Sequence, residues 1–208
     1  NAYERQLVKS KNHNFEDTLP EPLASEATDT LKDIYMLDML GISEPVIEAE
    51  IERRMVSKIK DVILELGYGF SFIGNQYRVV TPDSEYFIDL LFYHRKLQSL
   101  VAIELKRSRF KPEYAGKMNF YLNLLDDFVK EPHENPSIGI ILCGEHNHFD
   151  VEYALRGIDK PVGVAGYQLT QDLPESLKDN LPDPKKLEEK ISFELGLDRK
   201  ISEGKLGE

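Results

Sequence analysis

The feature that most constrains the fold is a pair of short apolar runs that carry charged residues, within "FIDLLFYHRKLQSLVAIELKR" at residues 87–107. Each run has the length and the β-branched and aromatic content of a strand, and a short connection around residues 96–98 separates them. Asp89 lies in the first run, and Glu104 and Lys106 lie in the second. The sequence therefore predicts two core strands that must accommodate three charged side chains.

The period of a strand decides which of these side chains can meet. Successive side chains point to opposite faces, so Glu104 and Lys106 share one face and lie roughly 6.5 Å apart along the chain. Asp89 comes close to Glu104 if the two strands pair as a hairpin. The residues expected on the opposite, buried face of the second strand are Val101, Ile103 and Leu105.

The rest of the chain alternates between helical and strand periods. Residues 43–67 follow a helical period that opens at Ser43 and Pro45 and stops at Gly67. "FSFIGNQYRVVT" predicts a strand, a turn or bulge, and a strand, and residues 112–130 predict another helix. "SIGIILCG" and "PVGVAGYQLT" predict two further strands, with a short helix between them. This order predicts an α/β fold in which helices flank a central mixed β-sheet.

The chain divides into three parts. Residues 1–42 are polar and are interpreted as an arm or linker with one short helix over residues 30–40. Residues 43–170 form the predicted α/β domain. Residues 171–208 form a charged tail with one candidate helix near 184–195. Because the sequence starts at Asn rather than Met, we expect it to be part of a longer protein.

Charge and composition limit the classes of function. The net charge of −11 argues against non-specific binding of polyanions, although basic residues concentrate around the two charged strands. No apolar run approaches the roughly 18 residues that span a bilayer, and no secretory signal opens the chain, so we expect a cytoplasmic protein with no membrane partner. Cys143, within "IGIILC", is expected to be a buried structural thiol rather than a nucleophile.

The three charges suit the hydrolysis of a phosphodiester. Two carboxylates beside an ammonium are costly inside a protein unless something compensates them. Mg²⁺ or Mn²⁺ would do so, because hard cations take oxygen ligands, and such an ion lowers the pKa of a bound water. Lys106 could orient that water or stabilise charge on the phosphate. The spacing is equally compatible with a plain ion pair between Lys106 and Asp89 or Glu104 on a half-exposed sheet face.

The same residues resemble a known nuclease core. Asp89 followed by Glu104-Leu105-Lys106 resembles the PD-(D/E)xK motif, whose fold is restriction-endonuclease-like. The surrounding sequence, together with "NPSIGIILC" and "EYALRGIDKPVGVAGYQL", resembles the YhcG-type family of bacterial proteins over roughly residues 30–170. That family carries the nuclease-type domain behind an N-terminal helical, DNA-binding region, and the opening "YERQL" resembles the end of that region.

The resemblance implies roles for the charged strands. Asp89 and Glu104 would be metal ligands, the carbonyl of Leu105 would be a third, and Lys106 would be the catalytic lysine. The superfamily often adds a glutamate from the first core helix.

The resemblance also implies that neighbouring elements contribute to the site. Glu52, in "EIERRM", best matches the helix glutamate and would then be a catalytic residue, although it could also be an ordinary acidic residue of the helix surface. Glu48, one turn earlier, is the alternative. RecB-like members carry a glutamine and a tyrosine one helical turn apart. Here Tyr121 matches the tyrosine, although its helical phase is equally typical of a core residue. Lys117 occupies the glutamine position and could contact a phosphate as a point charge.

The remaining substrate-binding candidates are basic or amide side chains close to the motif. Gln76 and Arg78 lie near the expected sheet edge, where Arg78 could hold a phosphate or be an ordinary surface residue. Arg107 follows the catalytic lysine directly and would contact backbone phosphates.

The sequence thus predicts a metal-dependent nuclease that acts on DNA. One alternative is a catalytically inactive module that uses the same fold to bind DNA or a protein. Another is an assembly domain in which the arm and the tail make subunit contacts in a homo-oligomer.

Overall fold

The computed structural model describes residues 12–42 and 46–169, and its centre is a mixed β-sheet. The sheet of the described residues has six strands in the order β1-β6-β5-β4-β3-β2. Strands β2, β3 and β4 pair antiparallel, whereas β4, β5, β6 and β1 pair parallel. The strands are β1 (Ile34–Met36), β2 (Phe70–Val80), β3 (Glu85–His94), β4 (Ser99–Arg109), β5 (Ile138–Glu145) and β6 (Val162–Gln168). The predicted α/β fold with a central mixed sheet is confirmed.

Helices cover the sheet and build two hydrophobic clusters. The described helices are α1 (Phe15–Thr18), α2 (Leu23–Thr30), α3 (Glu48–Ser57), α4 (Ile59–Leu66), α5 (Pro112–Phe128) and α6 (His148–Leu155). Buried residues of α1 to α4 belong to the first cluster, and those of α5 and α6 belong to the second. Among the described residues, no helix is both long and apolar enough to cross a membrane.

Strand β4 shows the predicted alternation. Val101, Ile103 and Leu105 are buried in the first cluster, whereas Leu100 and Ala102 are buried in the second. Because side chains alternate along a strand, Glu104 and Lys106 lie on the face that points toward α5. The neighbouring strand β5 contains Cys143, which is fully buried, and burial raises the pKa of its thiol to about 12, as expected of a structural cysteine.

The helix predicted over residues 43–67 is interrupted at Lys58. Lys58 has a non-helical backbone (φ −113°, ψ 31°), so α3 ends before it and α4 begins after it. The Ser57 hydroxyl donates to the carbonyl of Arg54 at 2.9 Å, a contact that competes with the helical ladder and bends helices. Gly67 ends α4 with φ of 111°, a conformation that favours glycine. The predicted helix start at Ser43 and Pro45 lies outside the described residues.

The prediction of a helix over residues 30–40 is wrong. This segment forms β1, and a 3₁₀ helix follows at Asp38–Leu40. The open edge of β6 offers unpaired backbone groups, and β1 pairs with it in parallel, which overrides local helical propensity. Tyr35 is fully buried as a result, and Leu37 donates its backbone N–H to the carbonyl of Gln168 at 2.7 Å. The described part of the predicted arm therefore contributes a strand to the sheet.

The segment "FSFIGNQYRVVT" forms one strand with a bulge. The pairing of β2 with β3 shifts register between Phe72 and Gly74, so the bulge alternative is correct. Gln76 adopts a positive φ of 44°, which is uncommon for a residue other than glycine and is often found at functional sites. The predicted helix near 184–195 lies outside the described residues.

Candidate active site

The candidate site lies where β3 and β4 separate. Their backbone pairing runs from His94 and Ser99 to Leu90 and Ile103, and it has no further partners beyond that point in the described strands. Asp89 is the next residue of β3, and its Oδ2 accepts the backbone N–H of Leu105 at 2.9 Å. The carboxylate thus replaces a ladder hydrogen bond and satisfies a donor that would otherwise be unpaired. This contact places Asp89 beside Glu104.

Glu104 is a buried carboxylate with an uneven set of partners. Its side chain is only 2% exposed. Lys106 Nζ lies 2.8 Å from Oε1, and Lys117 forms an ion pair with that same oxygen. The other oxygen, Oε2, is buried and has no hydrogen-bond partner. A buried carboxylate oxygen normally requires a partner, so Oε2 could accept a further hydrogen bond or a cation.

The charges of the site perturb one another. Burial and the charge of Glu104 raise the pKa of Asp89, although the N–H of Leu105 opposes this shift. Burial lowers the pKa of Lys106, but its hydrogen bond to Glu104 and the charge of Glu104 outweigh burial, so the pKa lies above its ordinary value. Lys106 is therefore a charged ammonium at neutral pH.

The two helix glutamates occupy different places. Glu48 Oε2 lies 3.4 Å from Lys106 Nζ, and its Oε1 accepts the backbone N–H of Arg107 at 3.0 Å. Glu52 instead accepts from Gln76 Nε2 at 2.7 Å, and that nitrogen lies 3.4 Å from Asp89 Oδ1. Glu48 therefore contacts the predicted catalytic lysine, whereas Glu52 reaches the predicted metal ligand through Gln76.

Some of the other predicted residues contact the hydrogen-bond network around Asp89, Glu104 and Lys106, and one binds outside it. Tyr121 is buried, and Lys117 Nζ lies 5.1 Å from the centre of its ring. Arg107 is exposed and adjoins the network through its backbone. Arg78 makes its hydrogen bonds with Glu85, with 2.8 Å between Arg78 Nε and Glu85 Oε2. In the part of the chain that the structure describes, the hydrogen bonds of the Arg78 side chain thus lead to Glu85 and not to Asp89, Glu104 or Lys106.

The sequence does not predict two contacts of this network, that of Asn75 with Glu52 and that of Lys117 with Glu104. Asn75 Nδ2 donates to Glu52 Oε1 at 3.3 Å, and its position at the predicted break of β2 was the one available signal. Lys117 was expected to contact a phosphate, yet in the structure it pairs with Glu104. Their separation of thirteen residues, from a strand to a helix, carries no local pattern that would reveal this pair.

The oxygen atoms of the site fit a hard divalent cation. In residues 12–42 and 46–169, no three His, Cys, Asp or Glu side chains form a group that could hold a metal ion. The candidate ligands are instead two carboxylates, Asp89 and Glu104, and the carbonyl oxygen of Leu105. Mg²⁺ is commonly held by one or two carboxylates and keeps several waters, so this set is sufficient in type. The unpartnered Oε2 of Glu104 is the observation that supports the fit.

Comparisons with known proteins give the family. The sequence pattern described as the YhcG PDDEXK nuclease domain matches residues 28–182. The protein "Putative nuclease YhcG" of Escherichia coli (strain K12) is 32% identical over 190 residues, which cover 91% of this chain and 48% of that protein. The chain thus spans about half the length of this curated relative. Nucleases of the PDDEXK type generally use divalent metal ions.

Solved structures with similar folds are more distant. A repair endonuclease from Pyrococcus abyssi is 15% identical, with a TM-score of 0.39 over 62% of this chain and 50% of that chain. An EndoMS-dsDNA2 complex is 15% identical, with a TM-score of 0.41 over 64% of this chain and 48% of that chain. The assignment of the family rests on the sequence matches: this chain belongs to the family of YhcG PDDEXK nuclease domains.

Proposed function

We propose that this nuclease domain hydrolyses phosphodiester bonds in DNA with the help of a divalent ion, Mg²⁺ or Mn²⁺. The observation that carries this proposal is the meeting of Asp89, Glu104 and Lys106 where β3 and β4 separate. The unpartnered Oε2 of Glu104 supports a cation there. DNA is the proposed substrate because the resemblance to PD-(D/E)xK nucleases implies DNA more often than RNA. A cytoplasmic location and a homo-oligomeric state remain predictions.

The proposed ligands are oxygen atoms of Asp89, Glu104 and Leu105. A divalent ion bound to them would lower the pKa of a water and shield the charge of the phosphate. Asp89 is already oriented by the N–H of Leu105, and Gln76 lies close to its other oxygen. Glu104 lies on β4, inside the sheet, and its carboxylate is buried.

Lys106 is the proposed catalytic residue that positions the attacking water. Its ammonium is charged, donates to the Leu105 carbonyl at 2.8 Å and lies 2.8 Å from Glu104 Oε1. From this position it can donate a hydrogen bond to the water or stabilise charge that develops on the phosphate. Glu48 is a proposed positioning residue for Lys106, and Glu52 is one for Gln76.

The proposed DNA contacts come from basic, amide and phenol side chains around the site, and the amide is that of Gln76 on β2. Arg107 is exposed beside Lys106, and Arg78 is exposed on β2. Lys117 and Tyr121 lie on α5 next to Glu104. We propose that these residues bind backbone phosphates, which fix the orientation of DNA without reading its sequence.

The proposal is tested by incubating the 208-residue chain with plasmid and linear DNA in the presence of MgCl₂. We expect cleavage by the wild type and none by Asp89→Ala or Lys106→Ala. Matched controls are Asp83→Ala and Lys111→Ala, which remove exposed residues of the same types outside the network. Circular dichroism would establish that all four variants are folded. Cleavage that persists in Asp89→Ala or Lys106→Ala would contradict the proposal.

One observation favours a second candidate function, a DNA-binding module without turnover. Glu104 is already compensated by two lysines, as in a structural ion-pair network. This alternative predicts salt-sensitive DNA binding that persists without Mg²⁺, and no cleavage by the wild type. The same plasmid assay, combined with binding measurements in EDTA, distinguishes the two functions.

A further inference from the structure

Lys117 and Lys106 share one oxygen of Glu104 but are held very differently. Lys106 is 14% exposed and also contacts Glu48 and the carbonyl of Leu105. Lys117 is 43% exposed, and its ammonium contacts Glu104 and the Tyr121 ring. The Lys117 side chain can therefore rotate toward solvent without disturbing the fold, whereas several partners hold the Lys106 side chain in place.

The positive charge of Lys117 opposes the binding of a divalent cation to Glu104. Burial lowers the pKa of Lys117, but the hydrogen bond and the charge of Glu104 raise it more strongly, so its ammonium is charged at neutral pH. Like charges that lie a few ångströms apart repel strongly in a partly buried environment. An ammonium on Glu104 Oε1 and a divalent ion on the same carboxylate would therefore disfavour one another.

We propose that the ammonium of Lys117, paired with Oε1 of Glu104, opposes a divalent ion at Oε2 of the same carboxylate and moves away from Glu104 when that ion binds. This inference rests on the proposed function, because it concerns the same carboxylate. Lys117 is then a positioning residue that keeps metal affinity low. It also compensates Glu104, whose burial would be costly without a cation.

A consequence of this exchange is coupling between metal and DNA. Once displaced, the Lys117 ammonium is close enough to the site to pair with a phosphate oxygen. DNA would then draw Lys117 away from Glu104 and tighten metal binding, and the metal would tighten DNA binding by the same factor.

The test is isothermal titration of Mn²⁺ into the wild type and Lys117→Gln, each alone and with a short DNA duplex. Glutamine keeps a hydrogen-bond donor near Glu104 but removes the charge. Without DNA, we expect Lys117→Gln to bind Mn²⁺ at least about tenfold more tightly than the wild type does. The duplex should tighten Mn²⁺ binding in the wild type and have a much smaller effect in the variant.

Three controls separate this role from a structural one. Lys117→Arg keeps the charge and should bind Mn²⁺ no more tightly than the wild type. Lys111→Gln removes a charge from an exposed lysine just before α5 and should leave the affinity within about twofold, since screening weakens distant charges. Lys117→Met replaces Lys117→Gln if circular dichroism shows that the glutamine variant is not folded.

The outcomes distinguish this inference from the nuclease proposal. Equal or weaker Mn²⁺ affinity in Lys117→Gln, with binding that Asp89→Ala abolishes, would overturn the role of Lys117 and leave the metal site intact. Failure of both the wild type and Lys117→Gln to bind Mn²⁺, even with the duplex, would contradict the metal-dependent function and this inference together.

Discussion

Glu104 contacts helix α5 and Asp126 belongs to it, but the two carboxylates differ in how their oxygens are partnered. Asp126, near the end of α5, accepts the backbone N–H of Ser137 at Oδ1 (2.9 Å) and pairs with Lys160 through Oδ2. Each of its oxygens therefore has one partner. Glu104, opposite the first half of α5, places two lysines on Oε1 and none on Oε2.

This difference separates a structural carboxylate from a candidate ligand. A buried group that only supports the fold is usually satisfied at every polar atom, because an unmade hydrogen bond is costly. Such exceptions are common at functional sites but also occur elsewhere: the hydroxyl oxygen of Ser137, whose backbone N–H binds Asp126, is likewise buried without a hydrogen-bond partner among the described residues. Asp126 follows the rule and Glu104 departs from it, although both are paired with lysine.

The largest expected difference between the two carboxylates concerns DNA cleavage. Glu104→Gln removes the charge of a proposed metal ligand and should lower the cleavage rate by more than about 100-fold, since even outer partners of metal ligands cost 10–100-fold. Asp126→Asn should leave the rate within about twofold, because Asp126 lies outside the network of the candidate site. Single-turnover cleavage in MgCl₂ measures both rates. Comparable losses in the two variants would remove the distinction between them.

For stability we expect the opposite order: Asp126→Asn should lower the free energy of unfolding more than Glu104→Gln does. Asp126→Asn retains an acceptor for Ser137 but loses the ion pair with Lys160, which should cost about 1–2 kcal/mol of unfolding free energy and lower Tm by about 2–8 °C. Glu104→Gln should change Tm less, since Lys106 keeps other partners and Lys117 can reach water. Thermal unfolding without divalent ions, followed by circular dichroism, tests this order. A larger drop for Glu104→Gln would make Glu104 the more important structural residue.

Local patterns explain what could be predicted from the sequence. The alternation of Val101, Ile103 and Leu105 with Glu104 is a property of one strand and is visible in consecutive letters. Pairing with β3 was inferred because the two runs adjoin in the chain and form a hairpin. The α/β fold and the position of Asp89 beside Glu104 follow from these short-range features.

Long-range contacts explain what could not be predicted. Strand β1 exists because β6, more than a hundred residues later, offers an open edge, and no local pattern announces that edge. The roles of Glu48 and Glu52 depend on how α3 is rotated against the sheet, which one helical turn in the sequence does not determine. The sequence therefore favours Glu52 over Glu48, although Glu48 is the glutamate that contacts Lys106.

A smaller effect is expected from Asp89, whose charge the fold opposes. Burial and Glu104 raise its pKa, so the folded protein binds this proton more tightly than the unfolded chain does. The ionised carboxylate therefore lowers stability at neutral pH, and this cost is relieved as pH falls through the pKa of Asp89 in the folded state. Asp89→Asn, which can still accept from Leu105, should raise Tm slightly at neutral pH in the absence of metal, and the gain should vanish in acid.

The measurement for Asp89→Asn is thermal unfolding across a pH series in the presence of EDTA. Asp83→Asn is the matched control, because it removes an exposed carboxylate from the turn between β2 and β3. A lower Tm for Asp89→Asn at neutral pH would mean that Asp89, like Asp126, stabilises the fold by its charge.

The smallest expected effect concerns Arg78, whose ion pair with Glu85 is exposed on both sides. Exposed pairs contribute little to stability, so Arg78→Ala should leave Tm unchanged. If Arg78 holds a phosphate, the variant should bind DNA more weakly and its logarithmic salt dependence should fall by about one. Arg156→Ala, which removes an equally exposed arginine paired with Glu152 on α6, should change neither quantity.

Fluorescence anisotropy of a labelled duplex at several salt concentrations measures this slope for each arginine variant. An unchanged slope with a lowered Tm would place Arg78 with Asp126 as a structural residue. A reduced salt dependence with an unchanged Tm would make Arg78 similar to Glu104. Each would then exchange a partner within the protein for a ligand when that ligand binds. Glu104 and Arg78 would then each keep a charged protein partner only until a ligand takes that partner's place: a divalent cation for Glu104 and a DNA phosphate for Arg78.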